Sequence, residues 1–366
     1  MKRRTFLKAA GVGGAAAALA SPAIAQSSPT INWRLQSSYP KSLETLFGAC
    51  TFFSEAVSEM TEGKFKIQIF AAGEIVPALQ VADAVGNNTV EMGQTGSYFY
   101  IGKDMGFAFG TAIPWGMNSR QQSAWMYRAG GLELMNEMYA KYGIYALPGG
   151  NTGTQMGGWF RKEIKSAADL NGLKMRIGGL GGNVLQKLGV IPQQLGAGDI
   201  YPALEKGVID AAEFVGPYDD EKLGLAKVAP YYHYPAFWEG GAELSFFINK
   251  ATWDALPKQF QKVVRIAAMA TGHDMQAKYD VLNPPALKRL IAAGAQLRPL
   301  PPDVMKASYK AAHDLYKELS EKHPSFKAIF DHQMAFHRES QPWWGISDLT
   351  YDYNITTAMQ QKWENG

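Results

Sequence analysis

The sequence has a single cysteine, Cys50, among its 366 residues. One thiol cannot form an intramolecular disulfide, and it cannot supply the several thiolates of cysteine-rich zinc or iron–sulfur sites. Long apolar runs are also scarce, because no segment after residue 25 is long and apolar enough to span a bilayer. We therefore expect a soluble mature protein without disulfide cross-links.

The motifs of common enzyme classes are missing as well. The sequence has no GxSxG nucleophile elbow and no HExxH metal helix. The stretch GGLGGN at 178–183 lacks the third glycine of a dinucleotide fingerprint. GSYFYIGKD at 96–104 is one residue too long for a P-loop and has Asp104 where serine or threonine would contact magnesium. The six histidines lie between residues 233 and 337, and we expect them on the surface.

The N-terminus has the composition of an export signal. Residues 1–25 combine the pair Arg3-Arg4 with a short run rich in glycine and alanine, and they end in an AIA cleavage site at 23–25. Paired arginines in this position fit the twin-arginine export pattern. We predict a mature protein that begins at Gln26 in a bacterial periplasm, with a non-cleaved anchor as the alternative.

The charge balance gives no indication of a nucleic-acid partner. The whole chain has 36 basic and 33 acidic side chains, a formal net charge of +3. Four of the basic residues and none of the acids lie in the predicted signal, so the remainder has 32 basic and 33 acidic residues, a formal charge of −1. A nucleic-acid-binding domain would show a basic surplus.

The length and the hydrophobic pattern predict two α/β lobes. Strand-like segments such as TINWRLQSS alternate with helical ones such as SLETLFGACTFFSEAVSEMTEG, which indicates mainly parallel sheets. Two weak internal matches suggest that the lobes are related. They are FKIQIFAAGE (65–74) with LKMRIGGLGG (173–182), which sets Gln68 opposite Arg176, and AVGNNTVEMGQ (84–94) with ALEKGVIDAAE (203–213).

From residue 250 onward the sequence is dominated by long helical stretches broken by proline. Such a region commonly packs across both lobes or against a partner chain. The predicted boundaries are a signal at 1–25, lobe I at 26–150 plus about 240–280, lobe II at 151–239 plus about 281–330, and a helical tail at 331–366.

Three polar residues fall where predicted strands end, which is the edge at which open parallel sheets bind ligands. Arg176 closes LKMR, Gln155 follows PGGNTGT, and Glu213 follows VIDAA. Arginine offers a planar fork of donors that suits a carboxylate. For the strand taken alone, the simpler interpretation is that Arg176 shares a solvated face with Lys174.

Glu213 and Glu239 suggest a bound cation. Two nearby carboxylates repel each other, and a small hard cation between them would remove the repulsion and favour carboxylate, amide and backbone carbonyl ligands. Aromatic residues near these positions could enclose a small ligand: Tyr98, Phe99, Tyr100, Phe214 and Trp238. Ordinary explanations stay open, since Glu213 could pair with a lysine and the aromatic residues could belong to the core.

Several segments resemble the substrate-binding subunits of tripartite ATP-independent periplasmic (TRAP) transporters, over nearly the whole mature chain. They are FAAGEIVPALQVADAV, GGNTGTQMGGWFRKEIKSAADLNGLKMRIGG, PQQLGAGDIYPALEKGVIDAAEFVGPYDDEKLG and FWEGGAELSFFIN, besides the twin-arginine signal. The resemblance is to the branch that binds 2-oxo or 2-hydroxy monocarboxylates, such as pyruvate or lactate, with a metal ion. It implies a periplasmic-binding-protein-like α/β fold, with two lobes joined by crossover hinge segments and a long C-terminal helical region.

The resemblance also implies roles for individual residues. Arg176 matches the arginine that clamps the ligand carboxylate. The implied substrate contacts are Arg176, Gln155, Tyr100, Asn151, Phe214 and Trp238. The implied metal ligands are Gln155, Glu213, the carbonyl of Phe214, and Glu239, with sodium expected and calcium as the alternative. Phe214 stands where tryptophan is expected in relatives, which predicts a wider pocket.

The function implied by the resemblance is capture of a small carboxylate and its delivery to the membrane permease of a TRAP transporter, without covalent chemistry. A homodimer that exchanges its C-terminal helix is also implied. Two alternatives remain. One is a periplasmic enzyme that acts on an oxo-acid with Glu213 and Glu239 as an acid/base pair, and the other is the binding subunit of an ATP-driven importer.

Overall fold

The structure is a computed structural model that describes residues 29–362. The predicted signal peptide and its cleavage site therefore lie outside the described residues. Within the described part, eleven strands form two sheets, one of five and one of six strands. None of the helices in this part of the chain is long and apolar enough to cross a membrane.

The first sheet takes its strands from three separate parts of the chain. The strands are β1 (Ile31–Ser37), β2 (Phe65–Phe70), β3 (Met92–Thr95), β4 (Ile144–Asn151) and β10 (Glu243–Asn249). Their order is β2-β1-β3-β10-β4, with β1 parallel to both β2 and β3 and β10 antiparallel to both β3 and β4. Strand β1 alternates as the sequence indicates, because Trp33 and Leu35 are buried whereas Asn32 and Arg34 are exposed.

The second sheet lies between β4 and β10 in the sequence, apart from its last strand. Its strands are β5 (Gly158–Phe160), β6 (Lys174–Arg176), β7 (Ile191–Gln193), β8 (Ala211–Ala212), β9 (Tyr231–Tyr234) and β11 (Gln296–Pro299). Their order is β11-β9-β5-β8-β6-β7, with β6 parallel to β7 and β8 and with β5 antiparallel to β8 and β9. The chain thus crosses between the sheets three times. The predicted lobe boundaries remain predictions.

The two sheets share one topology. The order β2-β1-β3-β10-β4 is matched strand by strand by β7-β6-β8-β5-β9, including the antiparallel fourth strand. The sequence match of 65–74 with 173–182 is therefore wrong by one strand, because β6 corresponds to β1 and not to β2. By the pairing registers, Arg176 occupies the position in the second sheet that corresponds to Gln36, and not to Gln68, in the first sheet. A short strand followed by a glycine-containing turn occurs several times, and only strand pairing tells the copies apart.

Twelve α-helices cover most of the remaining described residues. They are α1 (Gly48–Met60), α2 (Val81–Gly86), α3 (Ser119–Arg128), α4 (Gly131–Ala140), α5 (Gly179–Gln186), α6 (Ala197–Glu205), α7 (Pro217–Leu223), α8 (Lys250–Ala255), α9 (Lys258–Ala292), α10 (Pro302–Lys322), α11 (Pro324–Ile346) and α12 (Asp348–Gln361).

Helix α9 links the two halves of the molecule. The first half is the first sheet with the helices packed on it, and the second half is the second sheet with its helices. Val264 and Ala267, near its start, pack into a core with residues of the first sheet and α1. Met275 and Tyr279, further along, belong to a core that contains residues of the second sheet and α6. The helix is 35 residues long, so it reaches both cores without a break.

One histidine departs from the expected surface location. His233 lies on β9, which has a neighbouring strand on each side, and it is fully buried. Its ring packs edge-on against Phe160, and its Nε2 accepts a hydrogen bond from the backbone of Ile164 at 3.3 Å. The prediction was wrong here because burial of β9 depends on strand order, which the sequence pattern does not show.

Candidate functional site

Arg176 and Glu213 lie side by side at the ends of two neighbouring strands. Arg176 is the last residue of β6, and Glu213 follows β8, the parallel strand beside it. Nη1 of Arg176 donates to Oε1 of Glu213 at 2.5 Å and to the Glu213 carbonyl at 2.7 Å. Arg176 is 2% exposed and Glu213 is fully buried. The interpretation of Arg176 as part of a solvated face with Lys174 is therefore wrong.

The rest of the Arg176 guanidinium is oriented by two further contacts. Its Nε donates to the carbonyl of Leu195 at 3.2 Å, and its Cζ lies 5.5 Å from the ring centroid of Phe214. No described residue accepts a hydrogen bond from Nη2. Protein acceptors thus fix the guanidinium in place and leave one edge of it for another carboxylate.

Gln155 lies between the segments that contain the two acids. Its backbone N–H donates to the carbonyl of Glu239 at 3.2 Å, and its carbonyl accepts from Ala236 at 3.2 Å. The next residue, Met156, donates to the carbonyl of Val215 at 3.0 Å, two residues beyond Glu213. The backbone after β4 therefore brings Gln155, Glu213 and Glu239 into one region.

Thr152 binds the nitrogen of the Gln155 side-chain amide and so leaves the amide oxygen available to a ligand. Nε2 of Gln155 donates to Oγ1 of Thr152 at 3.1 Å, and that hydroxyl donates to the carbonyl of Gly153. The amide oxygen of Gln155 is left without a donor. Sequence reasoning missed Thr152, although a hydroxyl three residues before a candidate amide ligand is a signal that could have found it.

Four buried side-chain oxygens in this region have no hydrogen-bond partner among the described residues: Oε1 of Gln155, Oε2 of Glu213 and both carboxylate oxygens of Glu239. The carbonyl of Phe214 likewise accepts no hydrogen bond from residues 29–362. Unpaired buried polar atoms are costly and rare in native proteins. Oxygens of this kind are the ligands that a hard cation such as sodium or calcium takes.

The residues of this region fit a cation that takes oxygen ligands, although they do not form a cluster of acids. Within the described chain, no group of three or more His, Cys, Asp or Glu side chains is arranged for a metal ion. The site offers two carboxylates, one amide and one carbonyl. Calcium and sodium both accept such mixed oxygen sets, whereas zinc prefers nitrogen and sulfur ligands.

Electrostatics in the site favour an additional positive charge. Burial raises the pKa of Glu213, and the Arg176 guanidinium opposes the rise. Burial raises the pKa of Glu239 well above its usual range, and the Glu213 carboxylate raises it further. The protein alone therefore provides one arginine for two buried carboxyl groups, and a cation would allow both to be ionised.

Tyr100 and Asn151 are buried nearby but have other hydrogen-bond partners. The Tyr100 hydroxyl lies 3.1 Å from Oγ1 of Thr95, and Nδ2 of Asn151 donates to Oε2 of Glu243 at 3.3 Å. Neither side chain forms a hydrogen bond with Arg176. Their predicted ligand contacts therefore remain predictions.

Trp238 and Tyr98 are two further aromatic residues near the acids, besides Phe214. Trp238 precedes Glu239, is buried, and has an indole N–H with no acceptor among the described residues. The Tyr98 side chain opposes part of the rise in the pKa of Glu239. Tyr98 was seen in the sequence only as one of several aromatic residues and was not assigned a contact.

Comparison with known proteins identifies the family. A family model described as bacterial extracellular solute-binding protein, family 7 (DctP), matches residues 36–323, and a twin-arginine translocation signal model matches residues 1–20. A monocarboxylate 2-oxoacid-binding periplasmic protein of Nostoc sp. is 47% identical over 366 residues, which cover 98% of this chain and 100% of the relative.

Solved structures of TRAP transporter solute-binding proteins have the same fold. One from Bordetella bronchiseptica is 49% identical with a TM-score of 0.90, covers 91% of this chain and 99% of its own, and is a dimer with copurified calcium and picolinate in one active site. One from Pseudoalteromonas atlantica, with bound sodium and pyruvate, is 38% identical with a TM-score of 0.85, covering 88% and 98%.

These comparisons confirm the predicted resemblance, the predicted fold class and export to the periplasm. The family match covers both sheets except for residues 31–35 of β1, and it includes the segments of Arg176, Gln155, Glu213 and Glu239. Two sheets of matching topology, with buried polar residues at their strand ends, are thus the framework of a solute receptor. The chain belongs to the bacterial extracellular solute-binding proteins, family 7.

Proposed function

We propose that this protein captures a small 2-oxo or 2-hydroxy monocarboxylate, such as pyruvate, together with a metal ion and delivers it to the membrane permease of a TRAP transporter. The observation that carries the proposal is the fixed guanidinium of Arg176 beside four buried oxygens that lack hydrogen-bond partners. Relatives described as binding a 2-oxoacid, or solved with sodium and pyruvate, support the same ligand class.

In this proposal each site residue has a separate task. Arg176 uses its free Nη2 edge to bind the ligand carboxylate. Gln155, Glu239 and the carbonyl of Phe214 hold the cation, while Glu213 contacts Arg176 through Oε1 and the cation through Oε2. When bound, the cation supplies a positive centre for the 2-oxo or 2-hydroxy oxygen and the carboxylate.

The burial of the site implies a movement of the two halves. Arg176, Glu213 and Glu239 are all no more than 2% exposed, so this conformation gives a ligand no path from solvent. Separation of the two sheets must precede binding and release, as in other hinged receptors. Closure around the ligand then excludes water and strengthens the charge interactions.

The same geometry argues for binding rather than catalysis. A general base must be free to take a substrate proton, but Oε1 of Glu213 is paired with Arg176, and in this proposal the unpaired oxygens of Glu213 and Glu239 hold the cation. We therefore propose a receptor without covalent chemistry. One available guanidinium edge also favours a monocarboxylate over a dicarboxylate, and Phe214 leaves room for a ligand bulkier than pyruvate.

Calorimetric titration of the metal-stripped protein tests this function. Pyruvate is titrated alone, with sodium chloride and with calcium chloride, and succinate is titrated under the same conditions. We expect pyruvate to bind at least tenfold more tightly with one of the ions and succinate to bind weakly. Equal pyruvate affinity in all three conditions, or a preference for succinate, would refute the proposal.

We also propose that the protein forms a homodimer through its C-terminal helix. Helix α12 packs against α11, and its first residue, Asp348, forms an ion pair with Arg120 of α3. The helix exposes large apolar side chains that a monomer would leave in water. Those more than 60% exposed in α12 are Leu349, Tyr351, Tyr353 and Met359. The relative from Bordetella bronchiseptica was solved as a dimer, which supports the same assembly.

A further inference from the structure

Tyr98 extends from the first half of the molecule and packs on two glycines of the second half. Tyr98 follows β3, whereas Gly178 and Gly179 follow β6. A Cβ atom at Gly179 would lie 2.3 Å from Cδ2 of Tyr98, and one at Gly178 would lie 3.0 Å from Cε2 and Cζ. The phenol ring can occupy this position only because neither residue has a side chain.

The backbone under the ring belongs to the ligand site. The N–H of Gly178 donates to Oε1 of Glu213 at 3.1 Å, the same oxygen that pairs with Arg176. The pKa of Tyr98 is raised well above its usual range, first by burial and then by the nearby Glu239 and Glu213 carboxyl groups. The ring thus covers the point where the strand that supplies Arg176 turns into α5.

A second contact between the halves lies next to the first. Nε2 of Gln194, just after β7, donates to the carbonyl of Phe99 at 3.0 Å. The Phe99 ring lies 4.8 Å from that of Tyr98. Residues 98 and 99 are therefore fastened to the second half at two neighbouring points.

We propose that Tyr98, Gly178 and Gly179 form a clasp that holds the two halves closed over the ligand and sets the rate of ligand release. The clasp rests on the proposed capture of a small carboxylate. Tyr98 acts as a positioning residue, because its ring packs on the glycines that follow Arg176 and is not one of the proposed ligand contacts. A Cβ atom at 179 would overlap the ring, and a side chain branched at Cβ at 178 would displace it.

Gly178→Val tests the clasp by adding side-chain volume under the Tyr98 ring while leaving the backbone conformation unchanged. Gly178 has φ −92° and ψ 162°, an extended conformation that valine adopts without strain, and its backbone N–H stays available to Glu213. We expect pyruvate, with sodium or calcium present, to dissociate about tenfold faster or more by stopped-flow tryptophan fluorescence, with little change in association rate. Gly198→Ala is the control, because Gly198 is exposed and has no atom within 4 Å of its Cβ position.

A double-mutant cycle separates the clasp from general damage. Tyr98→Ala should accelerate release by itself, and Gly178→Val should cause no further loss in that background, within about twofold. If Gly178→Val proves unfolded by circular dichroism, the acceleration expected of Tyr98→Ala decides the question. Small-angle scattering of the ligand-loaded variants should show a less compact protein than the wild type.

The outcomes distinguish the two proposals. A wild type that binds no pyruvate with either ion would overturn both the receptor function and the clasp. A wild type that binds pyruvate, with a folded Gly178→Val variant that releases it at the wild-type rate, would overturn the clasp alone. If Gly178→Val accelerated pyruvate release by the same factor with and without the Tyr98 ring, the clasp would also be overturned.

Discussion

Nη1 of Arg176 lies 2.5 Å from Oε1 of Glu213 in a part of the protein that solvent does not reach. The residue that we assign to the ligand carboxylate therefore already has a permanent partner in the protein. Removing one member of a buried pair leaves the other charge uncompensated, which typically costs about 3–5 kcal/mol. Substitutions of Arg176 should thus affect folding as well as binding.

Arg176→Ala should lower the free energy of unfolding by about 3–5 kcal/mol and abolish pyruvate binding. The double variant Arg176→Met/Glu213→Gln should recover much of the stability, because no unpaired charge remains, but it should not recover binding. Urea unfolding and calorimetry measure the two effects separately. A fully stable Arg176→Ala protein would show that the pair contributes little to folding.

Glu239→Gln should weaken the dependence of pyruvate affinity on metal. Glu239 contributes two of the four unpaired oxygens, and an amide supplies one neutral oxygen in their place. Coupling between two ligands is typically 5- to 150-fold in affinity, about 1–3 kcal/mol, and we expect the variant to lose most of it. Titration of pyruvate with and without sodium or calcium measures the coupling.

Glu55→Gln is the matched control for this experiment, because Glu55 is exposed on α1, far along the chain from the site. It should retain the wild-type coupling. A Glu239→Gln variant with unchanged coupling would remove Glu239 from the metal site.

Glu243 should make the protein less stable as the pH rises. Burial raises the pKa of its carboxyl group to about 8, and the hydrogen bond from Asn151 only partly opposes the rise. The folded protein therefore binds a proton that the unfolded chain has released between about pH 4.5 and 8, so stability falls over that window by about 1.4 kcal/mol per pH unit. This contribution is fully present below the unfolded pKa and is lost as pH rises through the folded pKa.

Glu243→Gln should remove this contribution, because an amide does not titrate. Unfolding by urea at a series of pH values, in ligand-free protein, measures the slope for both proteins. Asp220, whose pKa burial raises to about 7, should contribute a similar slope to both and cancel in the comparison. Parallel curves for wild type and variant would show that Glu243 stays ionised in the folded state.

Removal of residues 348–366 should convert a dimer into a monomer. The exposed apolar surface of α12 would be deleted, whereas the two sheets would be left intact. Light scattering after size-exclusion chromatography measures the mass of both proteins. Leu349→Asp/Met359→Asp in the full chain should have the same effect, and a full-length protein that is monomeric at micromolar concentration would contradict the proposal.

The sequence alone, through its resemblance to a known family, determined the class of the protein, and its residues suggested the type of site. The twin-arginine signal, the alternation of strands and helices, and the placement of Arg176, Gln155 and Glu213 at strand ends are local patterns, and local patterns are visible in one chain. Residue chemistry then limited the ligand, because a guanidinium beside carboxylates and an amide suits an anion and a hard cation.

Tertiary structure decided which groups meet. The sequence gives no sign that Arg176 pairs with Glu213, that Thr152 orients the Gln155 amide, or that Tyr98 rests on Gly178. The predictions from the sequence also matched β6 with the wrong strand of the first sheet and placed His233 on the surface. Both were wrong because they depend on strand order. Each of these contacts joins segments whose approach is set by packing of the whole fold, and hydrophobic periodicity along the chain does not encode that approach.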